Sequence, residues 1–246
     1  MQLRLDPSRP SKDIDLAWIG DQLNHAIALD ALRAALSVSG ADFFSFELDV
    51  RASALEPEGS LTLPVTVRVG TKRFERFSID IAPAKEGVQF DTFAHRQPPL
   101  GLDQIGDAAI DVLSVEQQLA DKVCAIHEIR SAVPSSRWRD LADIAMMAQQ
   151  LDDSIDAGLL HLAIKNEVTR RSATLPNGLA GQLMITDEQL QSWRTSWGTG
   201  GRHVPLGLDE ALAFARAMCD PILAAEVIRG VWSSSAQIWK THKSET

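Results

Sequence analysis

The pattern of apolar residues changes partway along the chain, and this change restricts the possible folds more than any other feature. In the first hundred residues, short segments such as Leu61–Val69 and Lys72–Ile81 alternate polar and apolar residues, as the arms of a β-hairpin do. From Val115 onward, apolar residues recur mainly at helical spacing. We therefore predict an α+β protein, with a mixed β-sheet and flanking helices in residues 1–105 and a helical half in residues 106–246.

Local patterns predict the individual elements. Strands are expected at 13–18, 43–54, 61–69 and 72–81, and helices near 21–39, 115–130, 137–151, 155–171, 187–197 and 208–218, with a short helix after Pro221. Pro64 lacks the N–H of a strand ladder, which predicts an edge position or a bulge. Gly198, Gly200 and Gly201 follow a helical segment, so we interpret them as a loop and not as a phosphate-binding turn.

Composition excludes several classes of protein. The chain carries 24 basic and 33 acidic residues, a net charge of -9, which argues against nonspecific nucleic-acid coating. A local basic groove stays possible at Arg68, Lys72, Arg73 and Arg76, or at Arg130, Arg137 and Arg139. With no apolar run of the ~20 residues that span a bilayer, no secretory signal and only two cysteines, we expect a cytoplasmic protein without a disulfide framework.

Two aspartates in the first strand are candidate metal ligands. Asp13 and Asp15 lie two residues apart, so on a strand they share one face while Ile14 and Leu16 face the core. Carboxylates this close repel each other by about 4 kcal/mol at an effective dielectric near 20. Magnesium would relieve that repulsion, because it prefers hard oxygen ligands. The alternative is an exposed strand with two solvated aspartates.

A third carboxylate, Asp80, lies between Ile79 and Ile81 on a predicted strand. Because its neighbours point to the core, Asp80 points to the opposite face. If this strand lies beside the first one, three carboxylates converge, as is needed to hold magnesium against a triphosphate and to activate a hydroxyl. An ordinary aspartate on the polar face of a sheet is the alternative.

Three further candidates lie in the predicted helices. Lys122 interrupts an apolar stripe, where it must either extend its ammonium to solvent or meet an anion such as phosphate. A serine N-cap after Pro134 opens the next helix, which carries Arg137 and Asp140. These two could form a structural ion pair. Alternatively, Asp140 orients Lys122 or a catalytic water, and Arg137 contacts phosphate.

Four motifs occur in an order that resembles one known family. They are Arg9-Pro10-Ser11-Lys12-Asp13-Ile14-Asp15-Leu16, Ile79-Asp80-Ile81, Val115-Glu116-Gln117-Gln118-Leu119-Ala120-Asp121-Lys122 and Ser136-Arg137-Trp138-Arg139-Asp140-Leu141-Ala142-Asp143. The chain resembles the AbiEii/AbiGii nucleotidyltransferase-like toxins of toxin–antitoxin and abortive-infection systems. The resemblance covers roughly residues 1 to 150.

The resemblance implies a nucleotidyltransferase-like sheet followed by a helical half, and it implies roles for the motif residues. Metal ligands would be Asp13, Asp15 and Asp80; catalytic residues would be Asp80, Lys122 and Asp140; phosphate-binding residues would be Lys12, Lys122 and Arg137. The expected reaction uses Mg²⁺ to transfer a nucleotide from a nucleoside triphosphate to an RNA acceptor, with transfer RNA as the leading candidate. A cognate antitoxin would be the protein partner.

One feature of the family has no counterpart before Asp13. The family has a Gly-Gly or Gly-Ser turn there, which approaches the nucleotide phosphates through its backbone. Met1 to Leu5 is instead typical of the end of a helix. We therefore expect an N-terminally incomplete core, with an upstream glycine motif needed for full activity. Two rival functions remain: a non-catalytic partner-binding protein on the same fold, and another metal-dependent phosphoryl enzyme.

Overall fold

The computed structural model describes residues 5, 12–20, 22–37, 43–50, 54–55, 59–84, 86–95, 108–128, 137–172, 175, 179, 181–200 and 204–241. The chain forms two compact units. The sheet unit comprises Pro10–Glu86, and the helical unit comprises Gly87–Thr246 together with Met1–Arg9. Of the segment Met1 to Leu5, only Leu5 lies within the described residues, and it is buried in the core of the helical unit.

The described residues of the sheet unit form a mixed sheet and one helix. Its elements are β1 (Asp13–Trp18), α1 (His25–Leu36), β2 (Phe44–Leu48), β3 (Ala54–Leu55), β4 (Leu61–Val69) and β5 (Lys72–Pro83). The strand order is β1-β5-β4-β2, and β3 pairs with β4. β1 and β5 run parallel, whereas β4 is antiparallel to each of its partners. The predicted hairpin is thus confirmed, and Gly70, at φ 57°, occupies its turn.

The two faces of this sheet differ in polarity. One face carries apolar side chains that pack against α1, including Leu63, Val65 and Ile79. Ile14 and Leu16 lie opposite Ile79 and Ile81, yet they are 47% and 39% exposed. They share the face of Ile79 and Ile81, as predicted, but they are not buried, because β1 is the last strand of the described sheet and has a neighbour on one side only.

The structure corrects the predicted role of Pro64. Its strand, β4, lies in the interior of the sheet, between β5 and the strands β2 and β3. On the side of β4 away from β5, the regular ladder has a gap at Pro64. β2 pairs with β4 from Val69 to Val65, and β3 pairs only with Thr62 and Leu61. On this side the Pro64 carbonyl accepts a hydrogen bond from the Asp49 N–H at 2.9 Å, and the proline cannot return a bond to Asp49. The pairing with β5 is unaffected, because Ser78, opposite Pro64, directs its N–H to the Lys12 carbonyl.

The helical unit begins with an unpredicted hairpin. Its elements are β6 (Phe90–His95), β7 (Ala108–Leu113), α2 (Val115–His127), α3 (Trp138–Gln150), α4 (Ala157–Arg170), α5 (Asp187–Gly200), α6 (Leu208–Leu223), β8 (Val231–Ser233) and β9 (Ile238–Lys240). β6 pairs with β7 and β8 with β9, both antiparallel. Along the chain, the sheet unit ends at Glu86 and the helical unit resumes at Gly87, whereas the sequence pattern predicted a boundary after residue 105. Separate domains at 1–105 and 106–246 stay a prediction.

Three local predictions in the helical unit need correction. α6 continues through Pro221 to Leu223, and no separate helix follows this proline as far as residue 241. Gly198 and Gly200 belong to α5 and not to a loop, while Gly201 lies outside the described residues. Arg137 occupies the N-cap of α3 without a side-chain capping bond. Pro134 and the serines expected at that cap also lie outside the described residues.

Tryptophans account for much of the helical unit's core. Five of the six belong to it: Trp138, Trp193, Trp197, Trp232 and Trp239. The buried indole N–H groups of Trp197, Trp232 and Trp239 donate to the carbonyls of Leu206, Ala148 and Met218 at 2.7–3.0 Å. These bonds offset the cost of burying a polar group. Within the residues that the structure describes, no helix is long and apolar enough to cross a membrane.

We predict that Gly230→Ala destabilises the helical unit by about 1–3 kcal/mol. Gly230 has φ 127°, and a Cβ there would lie 2.4 Å from the Lys240 carbonyl oxygen. Gly198→Ala is the matched control, because a Cβ there meets nothing within 4 Å and alanine favours a helix by up to about 1 kcal/mol. Thermal unfolding followed by circular dichroism measures both changes. Equal stability of the two variants would contradict the account.

Candidate active site

The register of β1 against β5 brings the predicted carboxylates of the sheet unit together. Asp15 lies directly opposite Asp80, and Asp13 lies opposite Ser78. Adjacent strands are about 4.8 Å apart and residues two apart on a strand are separated by about 6.6 Å. Asp13, Asp15 and Asp80 therefore occupy neighbouring positions on the polar face, opposite the face that packs on α1.

Hydrogen bonding and exposure distinguish these carboxylates. Thr62, the β4 partner of Asp80, donates its hydroxyl to Asp80 Oδ1 at 2.5 Å. Asp80 is half-buried, whereas Asp13 and Asp15 are exposed. Lys12 is also exposed and directly precedes β1, and its carbonyl accepts from the Ser78 N–H at 2.9 Å, which extends the parallel ladder. Asp80 is thus oriented by its neighbour, and the other two acids are accessible to solvent.

The carboxylates fit a magnesium–nucleotide complex better than a metal ion bound by protein alone. Among the described residues, no group of three or more His, Cys, Asp or Glu side chains is gathered closely enough to hold a metal ion. Magnesium in proteins usually binds one or two carboxylates and completes its shell with water and substrate phosphates. Asp13 and Asp15 can supply such a pair of oxygen donors, so the chemistry and placement of these residues fit Mg²⁺ with a nucleotide.

In the helical unit, Lys122 on α2 bridges two acids on α3. Its Nζ lies 2.7 Å from Asp143 Oδ2 and 3.3 Å from Asp140 Oδ1. Burial lowers the pKa of Lys122, but the charges and hydrogen bonds of Asp143 and Asp140 outweigh it, so the pKa is raised and the ammonium stays charged. Two carboxylates of the protein therefore already pair with Lys122, so its ammonium does not depend on solvent or on a bound anion alone.

Arg137 completes this group at its exposed side. Its Nη1 lies 3.5 Å from Asp140 Oδ2, and its side chain is 45% exposed. The side chains of Asp140 and Asp143 are 15% and 1% exposed. This group carries two positive charges, on Lys122 and Arg137, and two negative charges, on Asp140 and Asp143. An incoming phosphate would therefore have to compete with the two carboxylates for the cations.

A second set of ion pairs fixes α2 against α4. Arg171 lies 2.9 Å from Asp121, 2.8 Å from Glu128 and 2.6 Å from Glu167, and Arg170 also pairs with Glu167. Burial lowers the pKa of Arg171, but the hydrogen bonds and charges of Glu167 and Glu128 outweigh it and raise the pKa above its usual value. Burial raises the pKa of the neighbouring Cys124 thiol to about 12, so this cysteine is not a nucleophile at neutral pH. Since Asp121 precedes Lys122, the set holds the turn of α2 that carries the lysine.

Sequence reasoning missed two residues that hold the candidate side chains in place. Asp143 is the nearer partner of Lys122, and Thr62 donates to Asp80. Asp143 could have been found, because it follows Asp140 by three residues and so lies on the same side of the helix. Thr62 could be found only from the hairpin register, which places it opposite Asp80.

Comparison with known proteins identifies the family. The family model described as "Nucleotidyl transferase AbiEii toxin, Type IV TA system" matches residues 1–226. The chain belongs to the AbiEii family. This match confirms the family that the four motifs predicted. No curated protein matches the sequence.

A solved structure supports the fold of this AbiEii protein. The chain is similar to MenT4, a nucleotidyltransferase toxin from Mycobacterium tuberculosis H37Rv, with a TM-score of 0.50 and 17% sequence identity. The match covers 93% of this chain and 82% of MenT4. It confirms the predicted α+β class, a mixed sheet with flanking helices. The residue roles inferred from the motifs stay predictions.

We predict that Asp143→Ala destabilises the helical unit by about 2–4 kcal/mol, because it leaves a mostly buried Lys122 without its nearer partner. In the double variant with Lys122→Met, much of this loss should disappear, since both members of the buried pair are then removed together. Chemical denaturation of the two single variants and the double variant measures the coupling.

Asp209→Ala is the control for the Asp143 variant. It breaks an ion pair in the same unit, but Arg194 and Asp209 are 54% and 73% exposed, so the cost should stay below about 1 kcal/mol. If Asp143→Ala costs no more than Asp209→Ala, the Lys122–Asp143 pair does not anchor α2 to α3.

Proposed function

We propose that this AbiEii protein is a magnesium-dependent nucleotidyltransferase, which transfers a nucleotide from a nucleoside triphosphate to an RNA acceptor in the cytoplasm. Transfer RNA is the acceptor that we favour. The observation that carries the proposal is the pairing of Asp15 opposite Asp80 on the polar face of the sheet, in a member of a nucleotidyltransferase toxin family.

Asp13 and Asp15 are assigned to hold the metal. Both are exposed and lie on one face of β1, so their carboxylates can reach the same ion. A bound magnesium ion would neutralise part of the triphosphate charge and orient its phosphates. The half-buried Asp80 can serve as a third ligand, and we assign it to accept the proton of the attacking RNA hydroxyl. Thr62 supports this role, because its hydrogen bond fixes the Asp80 side chain.

We assign phosphate binding to three cations, Lys12, Lys122 and Arg137. Lys122 and Arg137 would neutralise charge that develops on the transferred phosphate, and the exposed Lys12 would contact the triphosphate. Asp143 is the anchor of Lys122, whereas Asp140, at 3.3 Å, is the weaker partner that a phosphate oxygen can replace. Asp140 would thus orient Lys122 before the nucleotide binds.

The antitoxin is the expected protein partner, because AbiEii proteins are the toxins of type IV toxin–antitoxin systems. A non-catalytic, partner-binding protein on the same fold is the second candidate. Two observations favour it: Lys122 is already ion-paired, and no three metal-binding side chains are gathered among the described residues. We retain catalysis as the leading function, because Mg²⁺ needs only one or two carboxylates when a triphosphate supplies the other oxygens.

We predict that Asp15→Asn and Asp80→Asn each lower nucleotide incorporation into RNA by at least about 100-fold, because each removes a metal ligand or the proton acceptor. Lys122→Met should also abolish transfer. Methionine preserves the apolar stem, but the change removes the 2.7 Å partner of the buried Asp143, so the variant is assayed at a temperature at which circular dichroism shows that it is folded. The assay supplies labelled nucleoside triphosphates, Mg²⁺ and transfer RNA, with other RNA pools in parallel.

Asp30→Asn is the matched control. Asp30 is exposed on α1 of the same unit, where it forms an ion pair with Arg33, three residues later on the helix, at 3.0 Å. Activity of this variant should equal that of the wild type. RNA cleavage without incorporation would favour another phosphoryl enzyme. Tight antitoxin binding without any incorporation would favour the non-catalytic candidate.

A further inference from the structure

Three polar residues form a row across neighbouring strands of the sheet unit. Asp15 on β1 lies opposite Asp80 on β5, and Asp80 lies opposite Thr62 on β4. Residues directly opposite each other share a face, so all three side chains project from the polar face of the sheet. Since neighbouring strands are about 4.8 Å apart, Thr62 lies one strand from Asp80 and about 10 Å from Asp15. A hydroxyl group of the protein therefore lies within the candidate active site itself.

The hydrogen bond between Thr62 and Asp80 is short. Thr62 Oγ1 donates to Asp80 Oδ1 at 2.5 Å, and both residues are half-buried. A hydroxyl that donates to an ionised carboxylate over about 2.5–2.7 Å forms a bond roughly twice as strong as one between neutral groups. A nucleophilic hydroxyl and its general base lie within the same reach of each other. Asp80 is the group assigned above to accept the proton of the attacking hydroxyl, so this contact prepares Thr62 itself to attack.

A second pair of threonine and aspartate provides a comparison within the same chain. Thr92 on β6 lies opposite Asp111 on β7, and its hydroxyl donates to Asp111 Oδ1 at 2.8 Å. β6 and β7 form a two-stranded sheet, so no third strand of the described residues adds carboxylates beside this pair. Thr62 differs from Thr92 because the strand β1, with Asp13 and Asp15, lies next to its aspartate. Its position, and not the hydrogen bond alone, is therefore what places Thr62 beside a bound nucleotide.

We propose that Thr62 is a second acceptor of the nucleotide, so that the protein nucleotidylates itself when no RNA occupies the site. The inference rests on the proposed function, because it uses the same nucleoside triphosphate and the same carboxylates. Thr62 Oγ1 attacks the α-phosphorus, and a new O–P bond forms. The bond from the α-phosphorus to the oxygen shared with the β-phosphate breaks, and pyrophosphate leaves. The hydroxyl proton passes to Asp80, and a phosphodiester joins Thr62 to a nucleoside monophosphate.

The modification would regulate the site in which it forms. The phosphodiester adds a negative charge beside Asp80 and Asp15, which repels the phosphates of a second triphosphate. The attached nucleoside also occupies the space through which an RNA hydroxyl reaches Asp80. We therefore expect the modified protein to transfer little nucleotide to RNA. Because the RNA hydroxyl and Thr62 compete for the same proton acceptor, an RNA acceptor should in turn suppress the labelling of Thr62.

The test incubates the full-length protein with Mg²⁺ and each of the four nucleoside triphosphates, without RNA. Mass spectrometry of the intact protein and of its peptides should show the gain of one nucleoside monophosphate, located at Thr62. Thr62→Val removes the hydroxyl but keeps the β-branched shape that suits a strand, and it should lower the labelling by at least about 100-fold. Thr62→Ser retains a hydroxyl and should still be labelled. Absence of the label from wild-type Thr62, or equal labelling of Thr62→Val, would overturn the proposal.

Thr92→Val is the matched control, because it breaks the other hydrogen bond between a threonine and an aspartate on paired strands. It should leave the labelling of Thr62 unchanged, and wild-type Thr92 should carry no label. Asp80→Asn should abolish the labelling, since the proton acceptor is then absent. Labelling of Thr92 as strong as that of Thr62 would mean that the site plays no part. Circular dichroism verifies that each variant is folded, and Thr62→Ser provides a second variant at the same position.

Parallel incubations with transfer RNA and other RNA pools separate this inference from the proposed function. If RNA is labelled, and Thr62 is labelled when RNA is left out, both stand. If RNA is labelled but Thr62 is not labelled under either condition, the inference fails alone. If Thr62 is labelled but no RNA is, transfer to RNA fails and the inference stands. If neither RNA nor protein is labelled with any of the four nucleotides, both fail.

Discussion

The parallel pairing of β1 with β5 is the constraint on which the candidate chemistry depends. Only this register puts Asp15 opposite Asp80, and a shift by one residue would turn one of them to the apolar face. Burial fixes the facing of β5, because Ile79 and Ile81 pack against α1, and the parallel ladder to β5 then sets the facing of the exposed strand β1. The residues that build the core of the sheet unit therefore also set the positions of its carboxylates, and Thr62 orients the one that is half-buried.

The helical unit positions its charged side chains in a different way. Lys122 is held between α2 and α3 by Asp143, while Arg171 links α2 to α4 through Asp121 and Glu128. Such partly buried pairs add little net stability but penalise any arrangement that leaves one charge unpaired. They therefore define the position of α2 more sharply than apolar packing alone, and Lys122 keeps its charge because the acids offset its burial.

Much of this organisation could be predicted from the sequence. Alternation identified the hairpin, and the Asp13/Asp15 and Ile79-Asp80-Ile81 patterns identified the polar face, because side-chain direction on a strand is a local property. Predictions failed where a distant partner decides the outcome. Pro64 is tolerated inside the sheet because two neighbouring strands leave a gap beside it, and Ile14 is exposed although its neighbours on the core face are buried. The pairing of Lys122 with Asp143 depends on how α3 packs against α2, which the periodicity of either helix alone does not determine.

The most direct test of the account is whether the carboxylates on the polar face of the sheet bind a metal together with a nucleotide. Manganese, a spectroscopic substitute for magnesium, is titrated with a non-hydrolysable nucleoside triphosphate, and free Mn²⁺ is followed by electron paramagnetic resonance. We predict that the wild type and Asp30→Asn bind Mn²⁺ only when the nucleotide is present, and that Asp15→Asn weakens this binding by at least about 10-fold. Unchanged nucleotide-dependent binding in Asp15→Asn would contradict the account.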